Sequence, residues 1–538
     1  MSKFFYFKEE LAYTEDHVLV KSLFLMNIKE ELEEIQIQKH FETFGCVKQL
    51  HLFPIGNNNE RSGYVVFGNP RDAAQALLDF HVINSCHITV KPSDSWQQPD
   101  ADKMPDKPEN VDPNENTASI MKLNDYCLEH IFRKLSLTDR INFARTCFRF
   151  RCIYEGISPM LDKSIDCKIF NEMNEWEMRD FFQLSGRNIK QIKSGFGSYH
   201  WNLLCEFIGK RCVNLQSMTL WNTSLTSDNI FKIFANLNGL QNLELSNCDI
   251  NDGNIQALEH LSQLKKLCLS HQKLSAESIN CLPASVESLT INGCVSMEHP
   301  ELLNIIFGKF PLLKELQIPD YDLKDPCIEQ LINDNCCKSL EVLSLKCGNE
   351  ALEDYKHIAR LPSLKKLTLI IHRMECETPP MLMSWLVKHK SNQLQHLVII
   401  GERQNCINAN IIPKIGKLTA LRTLCLPKFD VLSDRGLDEL FTLQDLTEID
   451  MGCNQEITDN GILRLILACP KLQVLHLENC YRLMGKLCKD IILNLQNNND
   501  RPLPIKLFVF GPQANELTLL IADLAAKNIV DVEDYNKY

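Results

Sequence analysis

The sequence predicts a multidomain α/β chain in three parts: a small β-α-β-β-α-β unit, a short helical hairpin and a long α/β solenoid. Three observations predict it. A leucine grammar, L-x-x-L-x-L or a conservative variant, starts at Leu215 and returns at Leu240, Leu264, Val286, Leu313, Leu340, Leu364, Leu394, Leu421, Leu446 and Leu472. These eleven starts lie 22 to 30 residues apart. A unit this small cannot bury its own apolar face, so neighbours must stack and bury it jointly. Residues 17–92 alternate strand-like and helix-like segments. Residues 119–160 carry apolar residues at helical spacing on too short a segment for a core of their own.

In the first unit, residues 23–28 read as a strand and 32–44 as a helix closed by Gly45. Strands follow at 47–53 and 63–67, with a turn at 56–59 between them. A helix over 70–80 and a strand over 87–90 complete the order. This pattern resembles the RNA recognition motif (RRM) family, which has a ferredoxin-like fold. Residues 23–28 fit the family's hexamer, residues 41–47 its helix-to-strand junction, and residues 60–67 its octamer less completely. The resemblance implies that exposed aromatics on the central strands stack on bases. Phe24 and Tyr64 take two such positions, and Asn27 joins them as an RNA-binding candidate. The third aromatic position holds Ser62, and Glu60 stands where the octamer usually has a basic residue. Seven Lys/Arg against eight Asp/Glu give the unit no basic footprint for phosphates. RNA and protein are both open as ligands.

Residues 93–118 hold four prolines, seven acidic residues and one aromatic, Trp96, the composition of a flexible linker. The hairpin follows. Leu123, Leu128, Ile131, Phe132 and Leu135 line one helix, Ser136 opens a turn, and Leu137, Ile141, Ala144 and Cys147 continue into a second helix. An apolar face on so small a unit is suited to docking on a partner. The segment 119–160 resembles the F-box family nearly end to end, with Phe150-Arg151 where Trp-Arg is common. It departs at Asn124, where proline is usual; asparagine can still begin a helix as its cap. The resemblance implies that these nine residues bind the Skp adaptor and, through it, a cullin scaffold. Capping of the repeat array is the competing role for the hairpin.

Residues 161–515 form the predicted solenoid, which resembles leucine-rich repeats in period and in detail. In Leu240-Gln-Asn-Leu243-Glu-Leu245 the leucines alternate inward, leaving Asn242, Glu244 and Ser246 on the concave face. Degraded units are expected at Ile189 and Ile192, and at 507–509. Trp221, Ile370, His396, Val398, Ile400, Glu448 and Asp450 are the predicted substrate-binding residues; Lys266, Lys366, His476 and Glu478 share their face. A register slip of one residue would turn all of them inward. Residues 516–538 are expected to be a capping helix, through Leu517, Leu520, Ile521 and Leu524, followed by a solvated acidic tail.

Net charge is −12, against a globally basic nucleic-acid binder. No apolar run approaches a membrane span and the opening residues are too short for a signal peptide, so the chain is expected in the cytoplasm or nucleus. Its 23 cysteines include no C-x-x-C pair, which disfavours a zinc site. No catalytic motif, metal set or cofactor signature stands out. The domain order resembles substrate receptors of Skp–cullin–F-box ubiquitin ligases: the hairpin holds the adaptor, the repeats hold a protein substrate, and the first unit binds single-stranded RNA or a protein. The alternative is an RNA-binding scaffold with no part in ubiquitination. An enzyme comes third.

Overall fold

A computed structural model describes residues 5–14, 18–53, 60–84, 86–93, 97–100, 119–195, 200–294, 301–322, 327–347, 355–371, 378–401, 409–428, 432–483, 486–496, 501–509 and 528–534. The chain folds as two units, Met1–Ile131 and Phe132–Tyr538.

The first unit opens with a hairpin of β1 (Phe5–Lys8) and β2 (Leu11–Thr14). Its two-residue turn places Glu9 and Glu10 at positive φ, the geometry that matches strand twist in tight hairpins. Then come β3 (Ser22–Lys29), α1 (Glu34–Glu42), β4 (Val47–Leu52), β5 (Glu60–Phe67), α2 (Pro70–Leu77), β6 (His81–Ile83) and β7 (Cys86–Pro92). The sheet order is β4-β5-β3-β7-β6, antiparallel throughout. This is the predicted order with β6 added. The helix expected to reach residue 80 ends at Leu77 because His81 is drawn into the core: its Nε2 lies 2.7 Å from the Ala76 carbonyl and its Nδ1 2.9 Å from His40 Nε2. Leu23, Leu25, Ile37, Phe41, Val65, Phe67 and Ala73 form that core.

The beginning of the expected linker belongs to this unit. Gln98 is buried, its Oε1 accepting from the backbone N–H groups of Lys21 and Ser22 and its Nε2 donating to the carbonyls of Ser22 and Ser93. Lys21 pairs with Asp100 at 2.6 Å. These bonds satisfy backbone at the entry to β3, which explains why residues 97–100 are ordered despite their polarity.

Helix α3 (Asp125–Lys134) spans the boundary between the units, and α4 (Leu137–Thr146), α5 (Phe148–Leu161) and α6 (Glu175–Ser185) follow. Beyond α5 the solenoid runs as one parallel sheet of fifteen strands among the described residues, in strict chain order. They are β8 (Ser164–Asp166), β9 (Gln191–Gly195), β10 (Ser217–Trp221), β11 (Asn242–Ser246), β12 (Lys266–Ser270), β13 (Ser288–Asn292), β14 (Glu315–Asp322) and β15 (Val342–Cys347). The series continues through β16 (Lys366–Ile371), β17 (His396–Gly401), β18 (Thr423–Cys425), β19 (Glu448–Asp450), β20 (Val474–His476), β21 (Ile505–Val509) and β22 (Val530–Asp534). The predicted phase is the observed one. In β11 Leu243 and Leu245 are buried while Asn242 and Glu244 are exposed, and β16 and β17 alternate likewise. After β10, β11, β12 and β13 the chain leaves the sheet through Asn222, Asn247, His271 and Gly293, all at positive φ. At Gly293 a Cβ would also meet the His271 ring 2.3 Å away.

Repeat length decides what lies behind each strand. From Asn242 to Lys266, and from Lys266 to Ser288, the chain has room only for 3-10 turns at Ile255–Leu258 and Ala276–Cys281. A longer repeat, from Lys366 to His396, carries a helix of 13 residues at Thr378–Lys390. The array extends one strand past each expected degraded end, to β8 and β22. The predicted capping helix at 517–524 lies outside the described residues. The acidic end is a strand, with Asp531 and Glu533 half-buried beside Lys506 and Phe508, and not a solvated tail.

Candidate functional site

Three surfaces carry the candidate residues. On the small sheet, Phe24 of β3 and Tyr64 of β5 are register partners on the face opposite the buried Leu23 and Val65. Two residues that sequence reasoning missed complete an aromatic group. Phe53 lies 6.4 Å from Phe24 and 6.1 Å from Tyr64, and His51 lies 5.4 Å from Tyr64, ring centre to ring centre. Phe53 and His51 thereby extend the aromatic face of Phe24 and Tyr64. Gln49 donates to the Tyr64 hydroxyl at 3.0 Å, and Lys91 Nζ lies 5.3 Å from the centre of the Phe24 ring. Asn27 takes up positive φ at a bulge in β3, and its amide donates to Thr89 Oγ1 at 3.0 Å. Its side chain ties β3 to β7, a structural duty that the sequence did not reveal.

The hairpin divides its nine candidates into two sets. Leu128, Phe132, Leu137, Ile141 and Ala144 are buried. Phe132 packs on Phe143 at 4.9 Å and on Tyr154 at 5.6 Å, so its ring belongs to the interior and not to a docking surface. Leu123, Ile131, Leu135 and Cys147 are half-buried, and Tyr126, which sequence reasoning passed over, is 79% exposed. Asn124 Oδ1 accepts from the Cys127 N–H at 2.9 Å, doing the capping that the missing proline left open. Ser136 caps α4 through the Asp139 N–H, and Arg140 Nε donates to the Phe132 and Leu135 carbonyls at the end of α3.

The helices after α3 also hold a buried polar cluster. Tyr154 Oη donates to Asp162 Oδ2 at 2.5 Å, Ser185 Oγ donates to the same oxygen at 2.7 Å, and Arg140 Nη1 stands 3.5 Å from Asp162 Oδ1. Burial pushes the Asp162 carboxyl upward in pKa, against the pull of its three partners. The cluster joins α4, α5 and α6, and α5 runs within three residues into β8. Asn142 adds a bond from α4 to Glu177 of α6, and Arg145 pairs with Asp180 at 2.9 Å.

On the open face of the solenoid, Trp221, Ile370, His396, Val398, Ile400, Glu448 and Asp450 are all half-buried. The Trp221 indole lies across Gly195 of the preceding strand, where a Cβ would meet its ring at 2.0 Å. Ile370 and Ile400 pair directly, and Val398 pairs with Thr368 and Cys425. Farther along, His476 has Glu448 Oε1 at 3.3 Å from Nε2 and Glu478 Oε1 at 3.4 Å from Nδ1, while Phe508 stacks on its ring at 4.6 Å. The hydrogen bond to Glu478 raises the His476 pKa, with further help from Asp450 and Glu448. Burial raises that of Asp450. Among the described residues no group of three or more His, Cys, Asp or Glu could hold a metal, and no helix is long and apolar enough to cross a membrane.

Comparison with known proteins adds two family matches. The RNA recognition motif model matches residues 23–88, and the F-box domain model matches residues 120–153. No curated protein matches the chain. Similar solved structures include a yeast complex of Rad7 and Elc1, 15% identical over 68% of this chain and 90% of that one, with a TM-score of 0.43. The RRM3 domain of Mip6 is 18% identical over 14% of this chain and 94% of its own, with a TM-score of 0.13. An internalin of Listeria monocytogenes is 20% identical over 50% of this chain and 75% of its own, with a TM-score of 0.31. The chain thus carries a segment matched by the RNA recognition motif model, then one matched by the F-box model, ahead of fifteen parallel strands laid on a leucine repeat among the described residues.

Proposed function

We propose that this chain is the substrate-recognition subunit of a Skp–cullin–F-box ubiquitin ligase, acting in the cytoplasm or nucleus. The observation that carries the reading is an F-box hairpin whose last helix, α5, leads directly into the first strand of the solenoid and is locked there through Asp162. The hairpin docks on the Skp adaptor, and the solenoid holds a protein substrate. The contribution is positional: a held substrate lysine meets a ubiquitin carrier at high effective concentration, and no residue of this chain forms a covalent bond. Docking falls to Leu123, Ile131, Leu135, Cys147 and the added Tyr126, while the five buried candidates support them from within.

The test is a pull-down of the full chain with purified Skp adaptor, beside a Tyr126→Asp/Leu135→Asp variant. Both positions are accessible, so the variant should keep its circular dichroism and lose at least about tenfold in affinity, the usual scale when central interface residues are truncated. A folded full chain that ignores the adaptor would reject the ligase reading and leave an RNA-binding scaffold.

A second ligand, single-stranded RNA, is favoured by one observation: Phe24, Phe53 and Tyr64 form a continuous aromatic group on the open sheet face. Stacking would dominate over charge. In filter binding, Phe24→Ala and Tyr64→Ala should each weaken binding about tenfold or more, at about 1–3 kcal/mol per stacked base. The salt dependence should be shallow. Affinity unchanged by both substitutions would assign this face to a protein.

A further inference from the structure

The open face of the solenoid changes character along the sheet. Its middle is apolar: Ile370 and Ile400 are register partners, and Val398 lies one strand from Cys425. Lys346 of β15 pairs with Ile370, and Lys366, four residues before Ile370 on β16, pairs with His396. Arg422, exposed, immediately precedes β18 and so stands between the aliphatic residues of β17 and Glu448 of β19. On the other side stand Glu448, Asp450 and Glu478, gathered around His476 with Phe508 behind the ring. One row crosses five adjacent strands, Val398 to Cys425 to Asp450 to His476 to Phe508. At a strand spacing of about 4.8 Å, Val398 and Asp450 are about 10 Å apart, the reach of about three extended residues.

The two histidines of this face are shifted in opposite directions. Burial lowers the pKa of His396, and Lys366 and Arg422 lower it further against a weaker opposing pull from Glu448. His476 is raised by its carboxylate neighbours. Lys346 and Lys366 on β15 and β16, the aliphatic Ile370, Val398 and Ile400 on β16 and β17, and the carboxylates on and just after β19 and β20 thus follow one another along this face, with Arg422 between the last two groups.

We propose that this face binds an extended segment of a protein substrate whose side chains read acidic, apolar, basic, with a lysine or arginine about three residues from an aliphatic anchor. The proposal rests on the receptor reading above and names the chemistry of its substrate. The aliphatic anchor packs on Ile370, Val398 and Ile400. The cation lies among Glu448, Asp450 and Glu478, against the Phe508–His476 stack, and the acidic residue faces Lys366. Nucleic acid fits poorly, since its phosphates would meet the three carboxylates. Charge complementarity at both ends also fixes the direction in which the segment lies.

An array of synthetic nonapeptides built from glutamate, leucine, serine and arginine in all orders tests this with the full chain. The expected selection is for leucine with arginine three residues away, at least tenfold over the same peptides with glutamate in place of arginine. In a Glu448→Lys/Glu478→Lys variant the preference should invert toward glutamate. Should that variant fail to fold, Glu448→Gln/Glu478→Gln should reduce the preference without inverting it. No selection by the native chain, or the same selection by either folded variant, overturns the proposal. Self-association of the chain that is lost on charge reversal also overturns it, in favour of a second copy as occupant. The variants lie far in sequence from the hairpin and should bind the Skp adaptor normally, so failure here is distinguishable from failure of the ligase reading.

Discussion

Cys248, Cys294 and Cys480 each point a thiol at the backbone of the repeat before their own. Their Sγ atoms donate to the carbonyls of Leu220 at 3.4 Å, Leu269 at 3.6 Å and Met451 at 3.3 Å. Burial pushes the Cys248 thiol up to about 11 and the Cys480 thiol up to about 12, so both stay protonated as donors. Brief treatment with iodoacetamide at pH 8 should therefore label the exposed Cys46, Cys127, Cys152 and Cys336, and spare Cys248 and Cys480 until the chain unfolds. Mass spectrometry reads the outcome, and native labelling of Cys248 would remove the argument. Cys248→Ala should cost about 1 kcal/mol, one net hydrogen bond, in urea unfolding. The sequence does not show the carbonyl each one satisfies, because that partner lies one repeat away. Phe132 teaches a similar lesson: helical spacing marks an apolar stripe without saying which part of it the chain itself covers.

At the scale of the element, strand phase was legible because the leucines alternate over many repeats, and each repeat repeats the same test. The hairpin β1–β2 was not legible, since its turn is Glu9-Glu10 where glycine or asparagine would have signalled positive φ. Nor was β22, whose acidic residues read as a tail until their pairing with Lys506 and Phe508 is known. The neighbouring strands β19, β20 and β21 make a pH prediction. His476 gains a proton more readily in the folded chain, because its hydrogen bond to Glu478 and the charges of Glu478, Asp450 and Glu448 outweigh the burial that opposes it. Its stabilising contribution is complete below its unfolded pKa of about 6.5 and is lost as pH rises through the raised folded value. His396 works in the opposite sense, with a lowered pKa that costs stability as pH falls below the same point. The net pH profile of the whole chain therefore mixes the two, and a difference isolates one. The melting temperature of the native chain should exceed that of a His476→Gln variant by more at pH 6 than at pH 8. A gap that stays constant, or widens with pH, would show that the carboxylates do not hold the imidazolium.

On the scale of the molecule, the order of domains was plain from three periodicities, whereas the way the hairpin is fixed to the repeats was not. That fixture depends on residues from separate helices, Arg140, Tyr154, Asp162 and Ser185, none of which forms a motif by itself. Its consequence is mechanical. A receptor that works by position must hold the adaptor and the substrate at a fixed separation, and a loose joint would lower the effective concentration of the substrate lysine. Asp162→Ala leaves Arg140 without its carboxylate and removes the acceptor shared by Tyr154 and Ser185. Breaking one partner of a buried charged cluster costs about 3–5 kcal/mol, so the variant should melt earlier, with the hairpin loosening before the repeats. Tyr154→Phe removes one hydrogen bond and keeps the packing against Phe132, at about 1 kcal/mol. In a reconstituted ligase, Tyr154→Phe should leave adaptor affinity unchanged and lower ubiquitin transfer to a bound substrate only slightly. Asp162→Ala, assayed below its melting point, should retain adaptor binding and lose transfer severalfold. If transfer falls only as far as adaptor binding falls, the joint is a matter of stability alone; a loss of transfer with binding intact assigns it the task of holding the substrate in place.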